Sequence, residues 1–203
     1  MVRKFWKRPT LLVSMGIAAA VLASCAPSTS TGYTPPPSPD EVFVLGDSIS
    51  ANWPGMNGYL AISQGGAHLD WLRDMIPLMA EVPDTMVVMG GINDIMLGFS
   101  VADMKADILG IKADLDALGV RRVMIATITG WADNYVPASS LPTFRAKRTE
   151  FNTWIRATFP DSADCGSVFG EPPTTLWGYS DGVHPYTNGE ELLAACMQVE
   201  IGY

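Results

Sequence analysis

The sequence has only two histidines, His68 and His184, and three cysteines, Cys25, Cys165 and Cys196, among its 203 residues. A protein metal site usually gathers several Cys, His or carboxylate ligands at close spacing. The cysteines and histidines form no such cluster, so we expect no metal site. The scarcity of histidine also leaves only two candidates for a catalytic base of that type.

Basic side chains are scarce as well, with 13 Lys and Arg residues against 21 Asp and Glu, and the formal net charge is −8. Binding to nucleic acid or to anionic lipid relies on a basic surface. We therefore expect neither of these to be a partner of the folded protein. Hydrophobic residues make up 48% of the chain, which is enough for a sizeable core and excludes global disorder.

The apolar run from Leu11 to Ala23 has 13 residues, fewer than the roughly 20 that a membrane-spanning helix needs. Four basic residues precede it, and it ends in Leu22-Ala23-Ser24-Cys25. A basic segment followed by a short apolar run is typical of a secretory signal. The last four residues resemble the lipobox of bacterial lipoproteins, in which the cysteine is lipidated and becomes the first mature residue. Ordinary cleavage nearby and an uncleaved anchor are the alternatives.

We predict a signal peptide over residues 1–25 and a tether over residues 26–40, where five prolines occur with Ser, Thr and Gly. Such a composition cannot bury a core and is typical of an extended linker. The folded domain is then residues 41–203, held by a lipid on Cys25 at the outer side of the cytoplasmic membrane or at the cell surface. Without the signal peptide, nine basic residues face 21 acidic ones, and the formal net charge is −12.

Two cysteines remain in this exported domain, Cys165 and Cys196. An oxidising compartment favours a disulfide between such a pair. We therefore predict a bridge between them, with two separate buried thiols as the alternative.

Short apolar runs alternate along the domain with segments of helical periodicity. Strands that alternate with helices imply an α/β fold with a parallel sheet, whose ligands bind outside the carboxyl ends of the strands. We therefore expect the site to lie just after Leu45, Ile62 and Met89. The predicted strands are 42–45, 59–62, 85–89, 122–127 and 167–169, and the predicted helices are 69–80, with Pro77 interrupting it, 101–118, 144–159 and 186–199.

Polar or glycine-rich motifs follow the first three strands, and a fourth motif precedes the last helix. Ser48 at a strand end would expose its hydroxyl, although a serine there can also simply cap a helix. The second and third motifs can equally be simple turns. The four motifs are Gly46-Asp47-Ser48-Ile49-Ser50, Gly65-Gly66, Gly90-Gly91-Ile92-Asn93-Asp94 and Asp181-Gly182-Val183-His184-Pro185.

A serine hydroxyl is a weak nucleophile at neutral pH and needs a base, which in turn needs an orienting carboxylate. Asp181 and His184 are three residues apart, with Gly182 after the aspartate and Pro185 after the histidine. A turn can therefore place the carboxylate against one ring nitrogen while the other faces Ser48. A polar turn with a capping Asp is the alternative. His68 stands beside Asp70 at the start of a predicted helix, where it can be a helix-terminus or substrate-contact residue. We assign the base to His184.

In this order the motifs resemble the SGNH, or GDSL-type, hydrolases. The resemblance extends from Val42 to about Val199 and implies a three-layer α/β/α flavodoxin-like fold with a mostly parallel five-stranded sheet. It also implies hydrolysis of carboxylic esters or thioesters without a metal or organic cofactor. By this similarity Ser48 is the nucleophile, His184 the base and Asp181 its orienting partner. The oxyanion hole would consist of the backbone N–H groups of Ser48 and Gly66 and the side chain of Asn93.

In the second motif, Gly65 is the alternative to Gly66, and His68 stands where the family commonly has Thr or Ser. The Gly-x-Ser-x-Gly elbow of the α/β-hydrolases is absent around Ser48. We read Asp47 and Asp94 as structural residues that brace their loops.

The connections between the motifs are short and leave little material for a lid, so we expect a short-chain acyl or acetyl ester, on a glycan for example. The segment from Gly130 to Pro142 is expected to shape the cleft. Trp53, Trp131 and Trp177 can stack on sugars or else pack in the core. A surface acyltransferase and a non-catalytic glycan- or lipid-binding module are the alternative functions.

Replacing Cys25 by Ala is expected to release the protein from the membrane fraction, because the lipid would be attached to this thiol. Cell fractionation with detergent-phase partitioning measures the effect. Ser24→Ala, which keeps a small residue beside the cysteine, is the control and should leave the protein in the membrane fraction. A Cys25→Ala protein that stayed there would contradict the lipobox interpretation.

Overall fold

A computed structural model of the chain describes residues 42–51, 60–170 and 181–202. The predicted signal peptide, the tether and Cys25 lie outside these ranges, so the boundaries at residues 25 and 40 stay predictions. Within the described ranges, every helix is too short or too polar to cross a bilayer.

The core of the domain is a parallel sheet whose strand order is β2-β1-β3-β4. The chain passes from β1 outward to β2, and then crosses to β3 on the other side of β1. In sheets of this kind ligands bind beyond the carboxyl ends of the strands at the point where the order reverses, here between β1 and β3. The predicted α/β fold is confirmed. The strands are β1 (Val42–Gly46), β2 (Leu60–Ser63), β3 (Thr85–Met89) and β4 (Arg122–Ile125).

The predicted fifth strand at Ser167–Phe169 is wrong for the described residues, where the sheet has four strands and this segment forms a turn. The contact with the sheet occurs at Ala163, four residues before the predicted strand, as a single parallel bridge to Ala126 just after β4. The N–H of Cys165 then donates to the Ala163 carbonyl at 3.0 Å. This turn ends the pairing after one residue.

Helices connect the strands, and apolar spacing accounts for the longer ones. In the helix predicted at 101–118, apolar residues recur at spacings of three and four. Four of them, Met104, Ile108, Ile111 and Leu115, are at most 1% exposed, whereas Leu118 at the helix end is 38% exposed. The first predicted helix ends before Pro77, which lies in a separate 3-10 turn, Ile76–Leu78. The helices are α1 (Ser48–Ala51), α2 (Leu69–Met75), α3 (Ile92–Leu97), α4 (Val101–Leu118), α5 (Leu141–Thr158) and α6 (Thr187–Ile201).

Gly46 is the last residue of β1 and lies close to the Ser50 side chain and the Met89 carbonyl. The Ser50 hydroxyl is 3.0 Å from the Asp47 carbonyl oxygen and 2.8 Å from the Ser63 hydroxyl. A Cβ atom on Gly46 would clash with this hydroxyl and lie 2.8 Å from the Met89 carbonyl oxygen. The absence of a side chain at residue 46 therefore permits the close packing of β1, β2 and β3 at their carboxyl ends.

Gly46→Ala is expected to lower the free energy of unfolding by about 1–3 kcal/mol, the usual cost of overpacking a well-packed site. Urea unfolding followed by circular dichroism measures the change. Gly65→Ala is the matched control, because a Cβ atom there meets only the Ser48 Cβ, at 4.0 Å. Equal stability of the two variants would show that the strand ends can separate without cost.

Candidate active site

Ser48 lies at the carboxyl end of β1, where the chain turns into α1. The N–H of Asp47 donates to the Met89 carbonyl at 3.2 Å, and the N–H of Ala51 donates to the Asp47 carbonyl at 3.0 Å. The Asp47 carboxylate accepts the N–H of Ile49 at 3.0 Å. The first bond holds Asp47 against the end of β3, and the other two form the turn that contains Ser48.

The loop before α6 brings His184 to Ser48. The His184 Nε2 atom is 2.7 Å from the Ser48 Oγ atom, and the Nδ1 atom is 2.6 Å from Asp181 Oδ2. For Nε2 to accept the serine proton, Nδ1 must carry the ring hydrogen and donate it to Asp181. The three side chains that sequence analysis selected thus form one continuous chain of hydrogen bonds.

Asp181 is oriented by its own loop. Its Oδ1 atom accepts the N–H of His184 at 2.9 Å and that of Val183 at 3.0 Å. Partial burial acts to raise the pKa of Asp181, but the His184 N–H, the His184 ring and the Val183 N–H together outweigh it and lower the pKa to about 2. Asp181 is therefore a carboxylate at neutral pH and can stabilise a positive charge on the ring.

Asn93 and Gly66, the residues predicted for the oxyanion hole, lie at the same sheet edge, Asn93 in the first turn of α3 and Gly66 in the turn after β2. The Asn93 Nδ2 atom donates to the Ala67 carbonyl at 2.9 Å, which joins the start of α3 to the loop after β2. Gly66 adopts φ +76°, a conformation that favours glycine. A Cβ atom on Gly65 would lie 4.0 Å from the Ser48 Cβ, whereas one on Gly66 meets nothing within 4 Å. The Gly65-Gly66 turn is therefore beside Ser48, and the choice of donor within it stays a prediction.

Two further carboxyl groups are buried beneath the site. Asp47 and Asp94 are each 1% exposed, and Asp94 Oδ1 accepts the N–H of Leu69 at 3.2 Å, where α2 begins. Burial raises the pKa of Asp47 to about 7 and that of Asp94 to about 6, against the opposing effect of the N–H groups that they accept. Each carboxyl group braces the loop that carries a candidate site residue.

The other histidine has different partners. The His68 Nδ1 atom is 3.2 Å from Asp70 Oδ1, and the His68 ring centroid is 5.9 Å from that of Phe99. The interaction with Ser48 is made by His184, so the geometry agrees with the choice between the two histidines.

The predicted disulfide between Cys165 and Cys196 is confirmed, with a sulfur–sulfur distance of 2.05 Å. It ties α6, which follows the His184 loop, to the segment that passes beside β4. Within the part of the chain that the structure describes, no group of three His, Cys, Asp or Glu residues could hold a metal ion.

The segment 130–142 settles one open alternative and adds one residue that the sequence did not single out. Trp131 is only 2% exposed, so of its two predicted roles the structure shows core packing and not sugar stacking. Trp53 and Trp177 lie outside the described residues. Tyr135, which was not selected, packs against Gly182 beside Asp181. Its position in a segment expected to shape the cleft was the only sequence signal for it.

No protein-family model matches this sequence. A search of curated proteins by sequence also gives no match. The structure, by contrast, resembles many solved proteins. A GDSL-like lipase from Bacteroides thetaiotaomicron has 19% identity and a TM-score of 0.66, with 83% of this chain and 91% of the lipase covered.

Two other similar structures have related names. A lipase/acylhydrolase from Enterococcus faecalis has 17% identity and a TM-score of 0.62, covering 79% of this chain and 94% of its own. An acetylxylan esterase from Geobacillus stearothermophilus, solved as a catalytic mutant, has 18% identity and a TM-score of 0.60, with 80% of this chain and 94% of the esterase covered. At these identities the likeness concerns the fold. The chain has the SGNH (GDSL-type) hydrolase fold.

The buried Asp47 carboxyl predicts a pH-dependent stability. An ordinary aspartate titrates near 3.8, whereas the pKa of folded Asp47 is raised to about 7. Between these pH values the folded state binds a proton that the unfolded chain has released, so the contribution of Asp47 to stability falls as the pH rises from about 4 to about 7. Each pKa unit is worth about 1.4 kcal/mol, which sets an upper limit of about 4 kcal/mol.

Asp47→Asn should therefore flatten the decline of unfolding free energy between pH 4.5 and 8 and make the protein more stable at pH 8, since the amide oxygen can still accept the Ile49 N–H. The pKa of Asp94 is also raised, to about 6, so the Asp47→Asn variant should keep a smaller decline of unfolding free energy with pH. Urea titrations at several pH values test this. Asp161→Asn is the control, because the Arg122 hydrogen bond lowers the pKa of Asp161 and its titration lies below this window. An unchanged slope in Asp47→Asn would contradict the assignment.

Proposed function

We propose that the protein is an exported serine esterase that hydrolyses short-chain acyl or acetyl esters through an acyl-enzyme on Ser48. The observation that carries the proposal is the chain of hydrogen bonds from Asp181 through His184 to Ser48. In this arrangement a base lies at hydrogen-bonding distance from the nucleophile and a third group orients the base. The SGNH hydrolase fold, with its similarity to lipases and acylhydrolases, supports the same reaction class.

The proposed reaction has two halves. Ser48 Oγ attacks the ester carbonyl carbon while its proton passes to His184 Nε2, and the Asp181 carboxylate stabilises the imidazolium. The tetrahedral intermediate collapses, the C–O bond to the alcohol breaks, and His184 returns the proton to the leaving oxygen. Water then attacks the acyl-enzyme with His184 as base. The acid is released, and Ser48 Oγ regains a proton.

The negative oxygen of each tetrahedral intermediate needs hydrogen-bond donors. We assign this role to the backbone N–H groups of Ser48 and Gly66 and to the Asn93 side chain. The bond between Asn93 and the Ala67 carbonyl supports the assignment, because it holds the amide group beside the Gly65-Gly66 turn before any substrate binds. A donor of this kind contributes on the order of 3 kcal/mol to transition-state stabilisation.

For the substrate we favour an acetyl ester on a glycan. The similarity to an acetylxylan esterase supports this class. So does the brevity of the segments between the motifs, which leaves little chain to enclose a long acyl group. Export is supported by the disulfide between Cys165 and Cys196, since such bonds persist in oxidising compartments. The lipid anchor on Cys25 is part of the same proposal and would hold the enzyme at the cell envelope.

Ser48→Ala is expected to reduce p-nitrophenyl acetate hydrolysis by at least a thousandfold, because the nucleophile is lost. Ser167→Ala, at an exposed serine in a turn, is the matched control and should retain full activity. A fluorophosphonate probe should label the parent and the control but not Ser48→Ala. Hydrolysis by Ser48→Ala at the parental rate would refute the mechanism.

The substrate class is tested with a p-nitrophenyl ester series from acetate to palmitate and with O-acetylated xylan. We expect kcat/KM to fall as the acyl chain lengthens, and acetate to be released from the glycan. Product analysis with a competing alcohol distinguishes hydrolysis from acyl transfer. A dominant transfer product would assign the same acyl-enzyme to a transferase instead.

A further inference from the structure

The Asp181–His184 loop rests on a second loop, which follows β4. The N–H of Ala132 donates to the Gly182 carbonyl at 2.8 Å, and the N–H of Tyr135 donates back to the Ala132 carbonyl at 3.0 Å. The second bond closes a turn that presents Tyr135 to Gly182. The two loops are therefore joined through the peptide between the orienting aspartate and the base.

Gly182 is fitted to this contact in two ways. It adopts φ +98°, which favours glycine, and a Cβ atom there would lie 2.9 Å from the Tyr135 Cβ and 3.2 Å from an atom of its ring. Real side chains do not approach so closely, so Tyr135 occupies the space that a side chain at residue 182 would need. Tyr135 thus covers one side of the loop immediately after Asp181.

The supporting loop is itself anchored. Trp131 is buried at 2% exposure, and Asp133 forms an ion pair with Arg145 on α5. The Val136 side chain packs against the hydrophobic core. A loop fixed on both sides of Tyr135 can hold its ring in one place, which a free surface loop could not.

The phenol of Tyr135 also interacts electrostatically with the Asp181 carboxylate. Burial and then the negative charge of Asp181 raise the pKa of the Tyr135 phenol. A tyrosine phenol titrates near 10 in any case, so Tyr135 is neutral at pH 7 and adds no charge beside the Asp181 carboxylate.

We infer that Tyr135 is a positioning residue for the Asp181–His184 pair: its ring and backbone fix the loop that aims His184 at Ser48. This inference rests on the proposed esterase function. Tyr135 acts through His184 and does not touch the reacting atoms. Its loss should therefore lower kcat and leave KM for a small ester unchanged, because small displacements of a base are costly in rate.

The test is a double-mutant cycle with p-nitrophenyl acetate in the full chain. Tyr135→Ala should lower kcat roughly tenfold, while Tyr135→Phe, which keeps the ring, should stay within about twofold of the parent. In the His184→Ala background, whose residual hydrolysis comes from the remaining site, Tyr135→Ala should change the rate by less than about twofold. Leu109→Ala, at an exposed leucine on α4, is the surface control.

The outcomes are distinguishable. If Ser48→Ala is inactive but Tyr135→Ala keeps the parental kcat, this inference is wrong and the esterase function stands. If Tyr135→Ala costs as much in the His184→Ala background as in the parent, Tyr135 has only a general structural role. If Ser48→Ala is as active as the parent, both proposals are wrong. Should Tyr135→Ala fail to fold, Tyr135→Leu replaces it in both backgrounds with the same expected pattern.

Discussion

The hydrogen bond from the Asp47 N–H to the Met89 carbonyl, at 3.2 Å, joins the ends of β1 and β3 where the strand order of the sheet reverses. It extends the pairing of the two strands one residue beyond the Gly46–Met89 register pair. Ser48 is the residue after Asp47, and Asn93 lies four residues after Met89. The placement of Ser48 relative to the Asn93 side chain therefore depends on this contact and on the absence of a side chain at Gly46.

The remaining parts of the site divide into local and long-range contacts. Two hydrogen bonds join Asp181 to His184 and a third joins Asp181 to Val183, so this pair is built into one turn. The contact between His184 and Ser48 spans 136 residues and depends on the packing of α6 after the turn. The buried face of α6 and the Cys165–Cys196 bridge provide that packing. The His184 ring is thus oriented by its own turn and brought to Ser48 by the fold.

This division explains which features sequence could predict. Ser48, Asp181 and His184 stand at strand or helix ends and carry distinctive side chains. The helix at 101–118 was confirmed at both ends, where Ser100 caps its first turn and Gly119 closes it in a left-handed conformation. The fifth strand was wrong because an apolar turn at 167–169 has the same composition as a short strand. Burial of Trp131 and the contact of Tyr135 with Gly182 depend on how two distant loops meet, which spacing along one chain does not encode.

Three aspartates at this site titrate differently for reasons that can be read from their surroundings. Asp181 is half exposed and accepts two N–H groups as well as the histidine ring, which lowers its pKa to about 2. Asp47 and Asp94 each accept one N–H at a helix start but are buried, and burial raises their pKa to about 7 and about 6. Burial opposes charge unless enough donors compensate. At pH 7 Asp181 is therefore fully ionised, whereas Asp47 is about half protonated. Asp47 and Asp94 brace their loops, and Asp181 carries the charge that can face a protonated His184 ring.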